Sequence, residues 1–144
     1  MTEPESALRA KRPKFRNIHA FGDLPSYRLP LAGVVSILHR ISGGLMFLLL
    51  PFIIWMFDMS VSSEISHARF TGAFAGAGGW FLKLVALALI WSYLHHLIAG
   101  LRHLRMDINH DAVSKESGRR SAAITLVLSV ALTLLLGAKL FGLY

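Results

Sequence analysis

The sequence contains no cysteine. That excludes disulfides, thiol nucleophiles and iron–sulfur ligation by this chain. Charge is also scarce. Only 16% of the 144 residues are Asp, Glu, Lys or Arg, where soluble domains carry about a quarter. Acidic groups are the scarcest, 8 against 15 Lys and Arg, for a formal charge of +7. An excess of this sign suits nucleic acid or acidic lipid. Here the basic residues lie outside or at the edges of long apolar runs, so a membrane accounts for them and nucleic acid is not expected. A nucleotide cradle is missing too, because the glycine-rich stretch TGAFAGAGG (71–79) follows no strand pattern and reads as a flexible connection. There are no internal repeats of the kind that build transporters. Nor does the N-terminus resemble a targeting signal. No apolar core precedes the first long apolar run, and Glu3 and Glu5 are unlike an acid-poor transit peptide. Residues 1–30 read as a cytoplasmic tail.

What is present is apolar: 54% of the chain. Three segments reach the length of about 20 residues that a membrane helix needs, at about 31–57, 80–104 and 121–143. Inside them the uncharged stretches 41–57, 84–101 and 121–138 each nearly cross a hydrocarbon core of about 30 Å at about 1.5 Å per residue. The expected architecture is all-α: a tail over 1–30, then a three-helix transmembrane domain over 31–144. Arg9, Lys11, Arg12, Lys14, Arg16 and Arg28 precede the first span. Arg102, Arg105, Lys115, Arg119 and Arg120 cluster between the second and third. The intervening outer loop holds only Arg69, with Lys83 just inside the next helix. Positive charge stays inside, so the N-terminus and the 105–120 loop are expected in the cytoplasm and the C-terminus in the periplasm. Trp55 and Trp80 fall where interfacial aromatic anchors belong.

Polar residues within such spans are costly and mark candidate sites. The first cluster is SILHRISG, residues 36–43. Ser36, Arg40 and Gly43 or Gly44 share a helix face, flanked by His39. A cation and a hydroxyl at the cytoplasmic boundary suit a quinone headgroup, on whose oxygens negative charge builds during reduction. A plainer account has Arg40 reaching to lipid phosphates and Ser36 bonding its own helix backbone. The second cluster is HHLIAGLRHLRMD, residues 95–107. His96, Gly100 and His103 share a face, and His96 lies six residues deeper than Arg102, roughly 9 Å along the helix. A neutral imidazole at that depth needs a partner. Haem iron is one candidate, with Gly100 opening space for a flat macrocycle; an interhelical hydrogen bond is the other. In the third span Ser121, Thr125, Ser129, Thr133 and Gly137 form a small-residue stripe expected to pack against another helix.

These motifs, in this order, resemble the cytochrome b membrane-anchor subunit of succinate dehydrogenase. The resemblance rests on Arg12-Pro13 in the tail, Ser36-Ile-Leu-His39-Arg40-Ile-Ser42-Gly43 opening the first helix, and His96-x-x-x-Gly100-x-Arg102-His103-x-x-x-Asp107 closing the second. It covers residues 12 to 144. It implies that His96 is an axial ligand of a haem b, with the other histidine supplied by a second small membrane-anchor subunit that shares the helical bundle. His96 rather than His95 fits, being four residues before Gly100 and seven before His103. Ser36 and Arg40 would line a ubiquinone site beside the iron–sulfur subunit, and His39, Arg102 and His103 would contact haem propionates or support the ligand.

The same resemblance implies respiratory complex II in a bacterial cytoplasmic membrane. Electrons from succinate would pass through a flavoprotein subunit and iron–sulfur clusters to quinone. The chain would not be catalytic alone. Two other readings fit the same residues: an anchor of a fumarate reductase running the reverse reaction, and a cofactor-free membrane assembly or channel subunit.

Overall fold

Proline sets where the first span begins and where it breaks. In a computed structural model, which describes His19 and residues 21–23 and 27–144, Pro30 holds extended backbone at φ −63° and ψ 151° and opens helix α1 (Leu31–Leu48). The tail expected over 1–30, including Arg12-Pro13, lies almost wholly outside the described residues. Leu49 leaves the helical region at φ −90° and ψ 5°, and α2 (Leu50–Val61) starts with Pro51 near its N-terminus. Pro51 has no amide hydrogen and cannot continue the helical ladder, so the span expected as one helix over 31–57 is two segments reaching residue 61.

The connection between the first and second spans is more ordered than its glycines suggest. Ser63 and Ser66 form a reciprocal capping box: Ser66 N–H donates to Ser63 Oγ at 3.1 Å, and Ser63 N–H to Ser66 Oγ at 2.9 Å. That cap starts α3 (Glu64–Ala75), whose first turn places Glu64 at the positive end of the helix dipole. Much of the stretch expected as a flexible connection is therefore helix, and only 76–78 turns. Gly79 is obligatory there, because a Cβ would collide with the Phe74 carbonyl.

Next comes α4 (Gly79–Ile108), 30 residues long, or about 45 Å at the helical rise. Asn109 ends it and caps a short 3₁₀ turn, His110–Val113, by accepting from Asp111 N–H at 2.9 Å. Ser114 then caps α5 (Lys115–Leu140). This last helix starts six residues before the expected 121, since the cap and not the end of the charged run decides its start.

Helix α4 is the hub, with α1 and α5 packed against it and against each other, and α3 lying against α2 and the start of α4. The apolar core is small: Val35, Ala99 and Ala122 are fully buried, with Ala32 and Leu126 packed around them. Large apolar residues such as Phe47, Ile54, Leu101 and Leu134 face outward. That inversion belongs to a chain solvated by lipid or by other membrane helices. Three helices, α1, α4 and α5, are long and apolar enough to cross a membrane. Between α1/α2, α4 and Leu136 of α5 lies a predominantly apolar cavity of ≈ 390 Å³, lined by residues including Met46, Ile53, Met56, Leu89 and Leu94.

Candidate functional site

The two polar clusters meet where α1 crosses α4. The carbonyl of His39, on α1, accepts from His96 Nδ1–H of α4 at 3.0 Å. A carbonyl only accepts, so the bond places the proton on Nδ1 and leaves Nε2 unprotonated, with a lone pair that a ligand could use. Ser42 Oγ, fully buried, donates to the same carbonyl at 2.8 Å and lies 3.2 Å from His96 Nδ1. The His39 ring stacks on His96, with centroids 4.0 Å apart and planes 22° apart. His103 tilts against His39 from the other side at 5.2 Å. His96, Gly100 and His103 thus do share a face, gathered around His39.

The two glycines here do different work. A Cβ on Gly43 would come within 3.0 Å of His96 Cε1, so glycine lets α1 approach the ring. A Cβ on Gly100 would meet His39 Nε2 at 3.8 Å, ordinary contact. Packing within the chain does not require glycine at 100, since an added Cβ would only touch the His39 ring.

The neighbouring His95 points the other way. It is fully buried between α4 and α5, with Nδ1 3.2 Å from Ser129 Oγ and its ring stacked 5.5 Å from Trp91. Among the described residues its Nε2 and the Ser92 hydroxyl are buried without a well-formed hydrogen bond, although the Val35 backbone of α1 also lies beside the His95 ring. The turn of about 100° per residue separates the two histidines.

Arg102 does not join the histidine face. Its guanidinium, 8% exposed, turns toward α5, where Nε donates to Ser121 Oγ at 3.0 Å and Nη2 to the Gly118 carbonyl at 3.4 Å. The stripe on α5 faces α4 as expected, with Thr125, Ser129, Thr133 and Gly137 buried. Thr125 and Thr133 bond back to their own helix at 3.0 and 2.7 Å. A Cβ on Gly137 would press within 2.8 Å of Leu87 Cδ1.

Ser36 and Arg40 lie one turn apart on α1, Ser36 half-buried and Arg40 exposed. Neither side chain has a hydrogen-bond or ionic partner among the described residues. The alternative in which Ser36 bonds its own backbone is therefore not the arrangement adopted, although Ser42, six residues on, does this. Gly44, not Gly43, continues their outward stripe, since nothing lies within 4 Å of it. Sequence reasoning missed Ser42 and the contact between His39 and His96. The run Ser42-Gly43-Gly44 was the available signal, three small residues where one helix could approach another closely.

The fold and this face define a class: a three-span helical membrane subunit with a histidine cluster near one end of its bundle. Residues 14–136 match the family model described as succinate dehydrogenase/fumarate reductase transmembrane subunit. The chain belongs to that family and is a succinate dehydrogenase membrane anchor. It is similar to the succinate dehydrogenase cytochrome b556 subunit of Coxiella burnetii, at 33% identity over 115 residues, 80% of this chain and 90% of the relative. The protein of the same name from Paracoccus denitrificans is 33% identical over 105 residues, 70% of this chain and 75% of the relative. That of Rickettsia felis is 26% identical over 136 residues, covering 94% and 98%.

Proposed function

We propose that this chain is the haem b- and ubiquinone-binding anchor of a succinate:quinone oxidoreductase in a bacterial cytoplasmic membrane. The observation that carries the haem assignment is the bond from His96 Nδ1–H to the His39 carbonyl, which aims an unprotonated Nε2 away from its anchoring helix. The relatives' shared name, cytochrome b556 subunit, supports the same group. The chain's residues fit it: an oriented imidazole, a glycine at 100 that internal packing does not need, and His39 and His103 close by, where they would meet propionates. A bound haem would supply a one-electron redox centre. His95 suits the ligand role poorly because its ring is enclosed in the α4–α5 seam. Arg102 serves better as the tie between α4 and α5 than as a propionate contact.

For quinone, the free Ser36 hydroxyl and the exposed Arg40 guanidinium offer donors at the membrane boundary. They would orient a headgroup carbonyl and stabilise negative charge on its oxygen as electrons arrive. The extramembrane iron–sulfur and flavoprotein subunits would supply those electrons. A second small anchor would complete the bundle and provide the other axial histidine. The N-terminus and the 105–120 segment face the cytoplasm in this reading, and the C-terminus the periplasm.

One spectroscopic comparison tests the haem assignment. The assembled complex carrying His96→Ala should lack haem b absorbance, whereas His95→Ala should keep it. Undiminished absorbance in His96→Ala would overturn the assignment. For quinone, Arg40→Ala should lower quinone reduction by about 10- to 100-fold, the cost of losing a charge-assisted donor. Succinate oxidation by an artificial acceptor should persist.

A further inference from the structure

The end of α4 and the start of α5 form a cleft of ≈ 480 Å³ that the redox site does not use, lined by Arg105, Arg120, Ser114 and Ser117 among others. Arg120 is the last charge before the uncharged run 121–138, so it marks the level at which the chain passes from water to hydrocarbon. Below it Ile124, also lining the cleft, is 55% exposed and continues down the same helix.

Cations in this corner form no ion pair among the described residues. Neither Arg105 nor Arg120 has a carboxylate partner among the described residues. Behind them lies Arg102, 8% exposed, bonded only to the neutral Ser121 hydroxyl and Gly118 carbonyl. A guanidinium so buried, with no anion beside it, raises the local positive potential. The Ser121 hydroxyl is used up, since it donates to Gly118 and accepts from Arg102. Ser114 Oγ accepts the Ser117 N–H, so its own proton remains free, and the Ser117 hydroxyl is likewise unused. One carboxylate, Glu116, stands on the rim in the first turn of α5.

We propose that this cleft binds the phosphate headgroup of an anionic phospholipid, with an acyl chain running down past Ile124. Guanidinium groups suit the phosphate oxygens, hydroxyls complete the set, and an apolar wall begins one helical turn below. The acyl path distinguishes a lipid from a soluble anion. The proposal needs only that the chain spans a membrane, not that it binds haem or quinone.

Native mass spectrometry of the assembled, delipidated complex tests it, with phosphatidylglycerol and phosphatidylcholine as probes. The wild-type complex should retain phosphatidylglycerol preferentially. Arg105→Gln/Arg120→Gln should weaken that binding by about 25-fold, roughly fivefold for each basic residue facing an anionic headgroup. Glu116→Gln should hold the lipid at least as tightly as wild type. Should the double arginine variant not assemble, Ser114→Ala/Ser117→Ala keeps both charges and should still lose about threefold in retention. Unchanged retention in either double variant overturns the proposal. Displacement of phosphatidylglycerol by an equal concentration of inorganic phosphate would identify a soluble-anion site instead. Release of an extramembrane subunit with lipid retention intact would identify a protein-docking face.

Discussion

The two adjacent histidines of α4 make different side-chain contacts across the bundle, and this sets what their replacement costs. His96 is held by a backbone carbonyl of α1 and His95 by a hydroxyl of α5. Replacing His95 with Ala removes a fully buried ring and leaves a cavity, so we expect about 2–4 kcal/mol of destabilisation, read as a lower thermal midpoint of the complex. Gly43→Ala probes the other side. The 3.0 Å approach to His96 Cε1 forces α1 or the ring to shift, and the haem spectrum should broaden or weaken while the chain still inserts. Gly100→Ala meets only ordinary contact within the chain. Any loss of haem there would come from the space it takes from the cofactor, so insertion and fold should be unchanged. The residue pattern made His96, Gly100 and His103 legible as one face, because helical periodicity alone decides it. It could not show that His39 stacks on His96 or that Arg102 turns to α5. Those depend on how helices rotate against each other, and that is fixed by Gly43, Ser42 and Gly137 at close approaches.

Among the helices, the gaps between charges made three apolar spans legible, and the described residues hold three helices long and apolar enough to cross a membrane, since lipid tolerates few charges at depth. Helix ends were less legible. The start of α5 is set by Ser114, the start of α3 by Ser63 and the break after α1 by Pro51, and none of these changes the hydropathy much. Two expected outcomes belong to these elements. Ser63→Ala should cost α3 about 1 kcal/mol and speed amide exchange across residues 64–67, with no effect on haem. Pro51→Ala restores an amide hydrogen where the ladder is broken. It should straighten α1 into α2 and narrow the apolar cavity beside Met46 and Ile53. A spin-label distance between residues 56 and 94 would read that closure.

Across the whole molecule, the absence of native cysteine makes the orientation directly measurable. A single Ser117→Cys should react with a membrane-impermeant thiol reagent only from the cytoplasmic side, and Ser66→Cys only from the periplasmic side. The opposite pattern would reverse the topology. Among the described residues, the inter-helix side-chain hydrogen bonds that α4 makes with α1 and α5 fall within residues 95–103: His96 to His39 and Ser42, His95 to Ser129, and Arg102 to Ser121 and Gly118. On the Gly79 side of Ser92, α4 meets its neighbours among the described residues through apolar contact, small-residue packing and Lys83 Nζ lying 5.8 Å over the Phe141 ring, with no inter-helix side-chain hydrogen bond to α1 or α5. The three spans therefore resist separation unevenly. Pulled apart from the end where α4 begins, they would part smoothly like an opening zip; pulled from the end where α4 finishes, they would hold until several bonds ruptured together.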